Sequence, residues 1–446
     1  MNTLAIDCSK TIGKIKPMHA VNNIPITSAW TERVKDYTGT YIKDAGIPFV
    51  RFHDTGGVFG AGVYIDIENV FRNFDADEND PNSYDFTFTD WIIDRVESNG
   101  IKTFYRLGTT IENSSFIKAY RIYPPKDNAK WARICEHIVM HYNEGWADGF
   151  HYDIEYWEIW NEPDGDPDMM KSMTWRGTAQ QYFELYEVAA NHLKNRFPNL
   201  KIGGYASCGF YKIAQVAANP SAMVSDRVEY FVTFFHDFMK YISSPEHKSP
   251  LDFFSWHTYS DVKQNIIYCD YVREQLDNYG FKATESICNE WNPGQGNKGK
   301  LRDANRISVN MLAWHKHGLD MAMYYDMKST SSYCGAFDPI TLLPFKAYYA
   351  FKAFNVLYRL GEEVKSACDN EEIYYTAATN GKKTAVMLAG NTDNDENVVI
   401  NLNDFKWSKA TLFTIDEEHD LEKKQSFTDK VSFVLTKDSV AVVEFE

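Results

Sequence analysis

The sequence predicts an α/β protein: a (β/α)8 TIM barrel followed by a small antiparallel β-sandwich domain at the C-terminus. Two patterns predict this fold. Up to about residue 360 of the 446, short strand-like runs alternate with longer amphipathic segments, which is typical of parallel βα units. Beyond that point, short apolar runs follow one another without helical segments between them. A doubly wound open sheet is the alternative for the first part.

Eight segments of the first part read as barrel strands. Each is short, rich in apolar or aromatic residues and bounded by turn residues. Eight strands with crossovers place any functional side chains at the strand C-termini. The segments are Met18–Asn22, Phe49–His53, Lys102–Leu107, Tyr156–Asn161, Lys201–Ala206, Phe253–Tyr259, Ser286–Trp291 and Met321–Met327.

Apolar residues at helical spacing fill the segments between these strands and predict an outer ring of helices. One stripe begins at Trp131 and is closed by Gly145, and another begins at Tyr182 and ends before Pro198. A third helical stretch, Phe345–Leu360, is expected to end the barrel.

The last 86 residues contain six further strand-like runs, with Asn380 and Gly381 forming a tight turn between the first two. We expect a barrel domain over residues 15–360 and a β-sandwich over residues 361–446, which residues 1–14 could join. The runs are Ile373–Thr379, Lys383–Ala389, Asn397–Leu402, Ala410–Ile415, Val431–Leu435 and Ser439–Phe445.

The amino-acid composition argues against two classes of binding partner, nucleic acids and membranes. The chain has 46 basic and 62 acidic residues, a net charge of −16, so phosphate-dominated binding of nucleic acid is not expected. No apolar run approaches the roughly 20 residues of a membrane span. The N-terminus lacks a secretory signal pattern and the seven cysteines are widely spaced, so we expect reduced thiols in the cytoplasm, or secretion if a signal was removed.

Glu162 is the first candidate for a catalytic residue. The strand-like run Tyr156–Pro163 ends in this glutamate immediately before a proline, which stops regular strand pairing. Glu162 should therefore stand at the barrel rim, where barrel enzymes hold catalytic groups. A salt bridge at the rim is the alternative that position alone leaves open.

Glu290 is the second candidate, 128 residues later, again at a strand end followed by turn residues. The fourth and seventh strands face each other across an eight-stranded barrel, so the two glutamates could converge above its mouth. Two close carboxyls coexist best in different protonation states, which is what acid/base and nucleophilic attack on a glycosidic bond requires.

These motifs resemble clan A glycoside hydrolases and, within them, family 39, which includes β-xylosidases and α-L-iduronidases. By this resemblance Glu162 protonates the leaving oxygen and later deprotonates water, while Glu290 attacks the anomeric carbon. The similarity spans roughly residues 15–360. It rests on Trp160-Asn161-Glu162-Pro163, Glu290-Trp291-Asn292, Arg51-Phe52-His53-Asp54, Tyr84-Asp85-Phe86 and Gly100-Ile101-Lys102.

The resemblance also implies a set of substrate-binding residues. Alternatives stay open for several of them: a loop contact for the asparagine, core packing for His257 and Tyr325, and an internal ion pair for Arg51 and His53. Three positions differ from the family pattern. This sequence has Tyr325 where family members commonly have tryptophan, Asn289 where many have threonine, and Asp164 where asparagine is frequent. The set is Asn161, His53, His257, Tyr259, Arg51, Tyr325 and Trp291.

We therefore expect a retaining enzyme that cleaves a β-glycosidic bond by double displacement, with β-xylosidase-like exo action on plant-derived oligosaccharides. Another family 39 specificity, such as glucosidase, arabinosidase or iduronidase, and a catalytically silent glycan-binding protein are the alternatives. Nucleotide-binding glycine motifs and a Gly-x-Ser-x-Gly elbow are absent from the sequence, so we expect no cofactor and no metal. The sequence leaves the oligomeric state open.

Overall fold

The computed structural model describes residues 1–25, 38–53, 65–110, 122–294, 296–329, 331 and 333–446. Strand β1, Asn2–Lys14, opens the chain and belongs to the second of two sheets. The first sheet is a closed barrel of eight parallel strands, which confirms the predicted fold. In chain order they are β2 (Ala20–Asn22), β3 (Phe49–Arg51), β4 (Lys102–Leu107), β5 (Tyr156–Ile159), β6 (Lys201–Ser207), β7 (Phe253–Thr258), β8 (Glu285–Trp291) and β9 (Met321–Tyr324).

Helices connect the strands and pack around the barrel. Two further helical turns are not α-helical: a π-helical turn at Thr38–Ile42 and a 3-10 turn at Pro81–Ser83. The helices in the described part of the chain are α1 (Ile67–Val70), α2 (Thr87–Glu97), α3 (Asn128–Asn143), α4 (Ala179–Arg196), α5 (Tyr211–Ala218), α6 (Asp226–Ser243), α7 (Val262–Asn278), α8 (Leu301–His315) and α9 (Lys346–Leu360).

Helix α4 shows how local sequence sets these boundaries. It begins with a capping box, in which Thr178 Oγ1 accepts the Gln181 N–H at 3.1 Å and the Gln181 side chain accepts the Thr178 N–H at 2.9 Å. Pro198 lies just beyond its last residue, Arg196. The stripe predicted from the sequence is its buried face.

The interior of the barrel is apolar at the N-terminal ends of the strands and polar toward their C-terminal ends. Arg51 and Glu158 are both fully buried, and each lies two residues further along its strand than Phe49 and Tyr156 of the apolar layer. The polar half of the interior therefore lies where the loops that follow the strands can form a site. The apolar layer consists of Ala20, Phe49, Phe104, Tyr156, Phe253, Ile287, Met321 and Met323.

The second sheet has nine strands in the order β15-β14-β17-β12-β11-β10-β1-β13-β16 and has its own hydrophobic core. Its pairings are antiparallel except for β1 with β13. Helices α8 and α9 pack against β11 and β12 and join it to the barrel. The strands from β10 onward are β10 (Glu362–Cys368), β11 (Ile373–Thr379), β12 (Thr384–Gly390), β13 (Glu396–Asn403), β14 (Ala410–Ile415), β15 (Asp420–Phe427), β16 (Val431–Leu435) and β17 (Val440–Phe445).

Three strands of this sheet were not predicted from the sequence as strands: β1, β10 and β15. Strand β15 contains a single buried residue, Phe427, and the outer half of β1 is exposed, so neither has the apolar alternation that marks a half-buried strand. The boundaries proposed at residues 15 and 361 stay predictions. In the described ranges, no helix combines the length and the apolar character needed to cross a membrane.

Replacing Phe104 by alanine should destabilise the barrel. Phe104 is fully buried, and its ring lies 5.2 Å from that of Tyr156 and 5.1 Å from that of Phe253. Loss of a buried phenylalanine costs about 3–5 kcal/mol. Urea unfolding curves of Phe104→Ala should show this loss, whereas Phe88→Ala, at a side chain that is 41% exposed, should shift the free energy of unfolding far less. Equal losses would contradict the assignment of Phe104 to the barrel core.

Candidate active site

Glu162 lies at the rim beyond β5, in a backbone conformation that is uncommon for glutamate. Its φ angle is +51°, in the left-handed region, and that of Trp160 is +77°. The Glu162 N–H points at the carbonyl oxygens of Tyr205 and Ala206, at 3.2 and 3.0 Å, and Thr174 Oγ1 donates to the Glu162 carbonyl at 2.6 Å. Backbone strain of this kind persists where the surrounding structure enforces it, as at functional sites.

Glu290 lies on β8, next to an irregularity in the pairing of β8 with both neighbouring strands. Tyr259 Oη donates a short hydrogen bond to Glu290 Oε1. On the other carboxylate oxygen, Oε2, Arg51 Nη1 lies at 3.5 Å and His53 Nε2 at 3.9 Å. Glu290 is thus held by residues at the ends of two other strands, β3 and β7, and is only 5% exposed.

The two glutamates meet across the barrel mouth. His257 lies between them, with Nδ1 2.7 Å from Glu162 Oε1 and Nε2 3.6 Å from Glu290 Oε2. One carboxylate oxygen of each glutamate and a ring nitrogen of His257 all lie within 4.8 Å of one another. The convergence expected from the fourth and seventh barrel strands is therefore present.

Burial dominates the electrostatics of this pair. Burial raises the pKa of Glu162 to about 7, against the opposing charges of Arg227 and Arg51. Burial also raises the pKa of Glu290 and the charge of Glu162 adds to that rise, whereas His257, the Arg51 guanidinium and the Tyr259 hydroxyl oppose it. Because Arg51 and Tyr259 contact Glu290 directly, these contacts favour the ionised form of Glu290.

Arg51 makes the internal ion pair that was the alternative to substrate binding, and it also reaches the second glutamate. Its Nε donates to Glu158 Oε2 at 2.8 Å, as in an internal ion pair, and its Nη1 reaches Glu290. Its Nη2 donates to Asn161 Oδ1 at 2.6 Å. That bond orients the Asn161 amide, and the buried Nδ2 of Asn161 has no hydrogen-bond partner in the described part of the protein.

The remaining predicted binding residues divide into two groups. His53 is fully buried beside Glu290, and its ring lies 6.4 Å from that of Tyr325, so both belong to the site. Trp291 does not. It is fully buried outside the barrel, where its ring lies 4.6 Å from that of Trp314 on α8. Asp54, part of the family resemblance, lies outside the described residues.

Comparison with known proteins places this geometry in a family. The sequence profile of glycosyl hydrolases family 39 matches residues 4–292, which is more than half of the chain. The chain belongs to glycosyl hydrolases family 39. A β-xylosidase of Geobacillus stearothermophilus is 27% identical over 226 residues, which are 49% of this chain and 39% of the relative. A β-xylosidase of Caldicellulosiruptor saccharolyticus is 28% identical over 214 residues, or 46% and 40%.

The family 39 chain thus aligns with about two fifths of the length of these two curated relatives. Solved structures share the fold over the whole chain. A glucosidase from Croceicoccus marinus superposes with a TM-score of 0.77 at 19% identity, covering 100% of this chain and 99% of that one. A monomeric β-xylosidase from Caulobacter crescentus gives 0.69 at 18% identity, with the same coverage. At these identities the likeness concerns the fold.

Sequence reasoning assigned no role to Glu158, which organises the floor of the site in this family 39 protein. Its carboxylate accepts hydrogen bonds from Arg51 Nε, from Ser255 Oγ at 2.6 Å and from Asn289 Nδ2. One signal could have found it. Glu158 lies two residues after the inward-facing Tyr156, and a charge inside a barrel needs a partner.

The second sheet also contributes to the surroundings of the site. A cavity of about 420 Å³ adjoins Tyr259 and is lined by Pro293, Arg306 and Asn310 of the barrel and by Asn391, which follows β12. The sequence indicated a C-terminal β-domain but not its position. The family 39 barrel and the second sheet thus meet next to the residue that holds Glu290.

Glu162, His257 and Glu290 form the one group among the described residues whose side chains could converge on a metal ion. Two contacts argue for a hydrogen-bonded arrangement. His257 Nδ1 and Glu162 Oε1 already share a hydrogen bond of 2.7 Å, and the Arg51 guanidinium lies 3.5 Å from Glu290. Because this permanent cation already supplies positive charge beside the carboxylate, we assign no metal to the group.

Replacing Glu158 by glutamine should destabilise this family 39 protein strongly. The Arg51–Glu158 pair is fully buried, and the substitution removes the balancing charge while keeping the size of the side chain. Breaking a buried pair from one side costs about 3–5 kcal/mol. Urea unfolding should reveal this loss in Glu158→Gln. The matched control is Asp75→Asn, which breaks an exposed pair with Lys126 and should leave the curve unchanged. Indistinguishable unfolding curves for the two variants would contradict the conclusion that the buried charge of Arg51 requires the charge of Glu158.

Proposed function

We propose that this protein is a retaining glycoside hydrolase that cleaves a β-glycosidic bond by double displacement. In this proposal Glu162 is the acid/base residue and Glu290 is the nucleophile. The observation that carries the proposal is the approach of two buried carboxylates to within 4.8 Å in different electrostatic surroundings. Membership of family 39 supports it independently.

The separation of the carboxylates favours retention of configuration. Retaining enzymes hold their two carboxyls about 5–5.5 Å apart, whereas inverting enzymes hold them about 6.5–9.5 Å apart to admit a water molecule. One oxygen of Glu162 and one of Glu290 lie within 4.8 Å of each other, a close approach that favours the retaining arrangement. A direct attack by Glu290 on the anomeric carbon is therefore the step that fits.

In the first half-reaction a Glu290 oxygen bonds to the anomeric carbon while the bond to the leaving oxygen breaks. The leaving oxygen takes the proton of Glu162, whose pKa is raised to about 7 by burial, so that a proton is available near neutral pH. Tyr259 and Arg51 hold the attacking carboxylate in place. The products are a glycosyl ester on Glu290, the free alcohol and an ionised Glu162.

In the second half-reaction water attacks the anomeric carbon and its proton passes to Glu162. The ester on Glu290 carries no negative charge, so the repulsion that favours protonated Glu162 has gone and its pKa falls. Ionised Glu162 can then act as a base. Release of the Glu290 carboxylate restores both groups to their starting protonation states.

Substrate contacts follow from the free polar atoms. The buried Nδ2 of Asn161 is a suitable donor for a sugar hydroxyl, while its Oδ1 is bound to Arg51. We propose a neutral sugar with β-xylosidase-like exo action on plant-derived oligosaccharides, because both curated relatives are named β-xylosidases. A glucosidase specificity is the alternative that a structural neighbour supports.

A cytoplasmic location remains part of this proposal. All seven cysteines are free, and five of them are buried. Unpaired thiols are typical of proteins kept in a reducing compartment.

Replacing Glu290 by alanine should abolish turnover of aryl β-glycosides. Removal of a nucleophile typically lowers kcat by at least about a thousandfold. A panel of aryl β-glycosides measures this, and NMR of the first product should show the β-anomer. Glu274→Ala, on the exposed face of α7, is the matched control and should keep the wild-type rate. Equal, negligible turnover by wild type and Glu290→Ala would favour the silent glycan-binding alternative.

Replacing Glu162 by alanine should have an effect that depends on the leaving group. General acid catalysis contributes about 10²–10⁴-fold to the rate where the leaving oxygen must be protonated, and little where the leaving group is already a stable anion. We expect kcat/KM for alkyl glycosides to fall by this range and kcat/KM for dinitrophenyl glycosides to fall much less. A uniform loss across leaving groups would contradict the acid/base assignment.

A further inference from the structure

We infer that His257 is a positioning residue that couples the protonation of Glu162 to that of Glu290, because its one ring hydrogen can be donated to only one of them at a time. This inference rests on the proposed function and deepens it. The family resemblance implied a different role, the binding of a sugar hydroxyl.

The geometry of the imidazole carries the inference. His257 is fully buried on β7, and its two nitrogens face the two carboxyls: Nδ1 lies 2.7 Å from Glu162 Oε1, and Nε2 lies 3.6 Å from Glu290 Oε2. In the described part of the chain, Nε2 makes no well-aligned hydrogen bond, and the Asn289 side chain is a further polar group that acts on the ring. Burial lowers the pKa of His257 to about 4, so near neutral pH the ring carries a single hydrogen.

When Glu290 is ionised, the hydrogen is most stable on Nε2, where it faces the negative charge. Nδ1 then presents a lone pair to Glu162 Oε1 at hydrogen-bond distance. Two lone pairs this close repel each other, so Glu162 must carry a proton. The imidazole thus keeps Glu162 in its acid form while Glu290 is a nucleophile.

After glycosylation the arrangement reverses. Glu290 is a neutral ester and Glu162 has given its proton to the leaving group. A hydrogen on Nδ1 now stabilises the Glu162 carboxylate. The ring reaches this state when one proton leaves Nε2 on the side of Glu290 and another reaches Nδ1 through the Glu162 carboxyl, which is 8% exposed, so that His257 stays neutral and no net proton is gained or lost.

Other charged groups surround Glu162, His257 and Glu290, but a substitution of His257 leaves all of these surrounding groups in the protein. Arg51 remains charged in both states of the cycle and cannot carry the coupling. The groups that act electrostatically on Glu162 are Arg51, Arg227, Asp164, Cys208 and Glu290, and those acting on His257 or Glu290 include Glu158, His53 and Tyr259.

The test compares the pH dependence of kcat/KM for an aryl β-xyloside in wild type, His257→Ala, His257→Leu and His257→Gln. The alkaline limb of the wild type should lie near pH 7, where Glu162 loses its proton. His257→Ala and His257→Leu lack the acceptor that stabilises protonated Glu162, so their limb should move down by about one pH unit. A glutamine amide can offer oxygen to Glu162 and N–H to Glu290, so His257→Gln should keep the wild-type limb.

The second step separates these variants further. Alanine and leucine cannot donate a hydrogen bond to the Glu162 carboxylate, so His257→Ala and His257→Leu should slow hydrolysis of the glycosyl-enzyme. A glutamine amide can rotate by 180° about its terminal bond and present N–H to Glu162, so His257→Gln should keep the rate of this step. With a dinitrophenyl glycoside, for which this step limits turnover, kcat of His257→Ala and His257→Leu should fall by at least about tenfold. His317→Ala is the matched control, because His317 is a partly exposed histidine that contacts Asp270 at 2.9 Å, and its alkaline limb should not move.

An unshifted alkaline limb in His257→Ala, with a raised KM alone, would overturn the inference and favour hydroxyl binding. If His257→Ala does not fold, His257→Leu decides: a lowered limb with slowed deglycosylation supports the coupling, and an unchanged limb with unchanged deglycosylation overturns it. Absence of turnover in the wild type would instead count against the proposed function.

Discussion

The site depends on one buried guanidinium. Arg51 binds the carboxylate of Glu158 beneath the site, the amide oxygens of Asn22 and Asn161 at its sides, and approaches Glu290 above. A buried cation is stable only when its charge is balanced and its N–H groups are satisfied. The side chains that satisfy Arg51 are therefore fixed in position, and Asn161 and Glu290 are fixed with them.

This constraint explains how the barrel interior is organised. Apolar side chains fill the end at which the strands enter, and a polar layer built on Arg51 and Glu158 fills the next level. The two glutamates and His257 form the top layer, at the mouth. Packing in each layer limits the positions that side chains in the next layer can take. At the mouth, this packing holds the carboxyl groups of Glu162 and Glu290 closer together than two carboxylates would remain in water. Their proximity and burial separate their protonation states.

Particular residues show what sequence patterns can and cannot find. Glu162 before Pro163 and Glu290 before a turn were visible because strand ends in a barrel share one face. Trp291 was placed in the site because it follows Glu290 in the sequence, but its side chain lies outside the barrel and packs on Trp314. Strand β15 was missed because its side chains are almost all exposed and its place in the sheet comes from backbone pairing with β14.

The sequence by itself determined the barrel, the two glutamates at its rim and the family, because apolar periodicity and short motifs are local properties of the chain. Only the tertiary structure decided that His257 stands between the two carboxyls, that Arg51 joins Glu158 to Glu290, and that β1 pairs with β10 and β13. These contacts join residues up to several hundred positions apart. Their distances and the resulting pKa shifts arise from burial and packing, which no local pattern encodes.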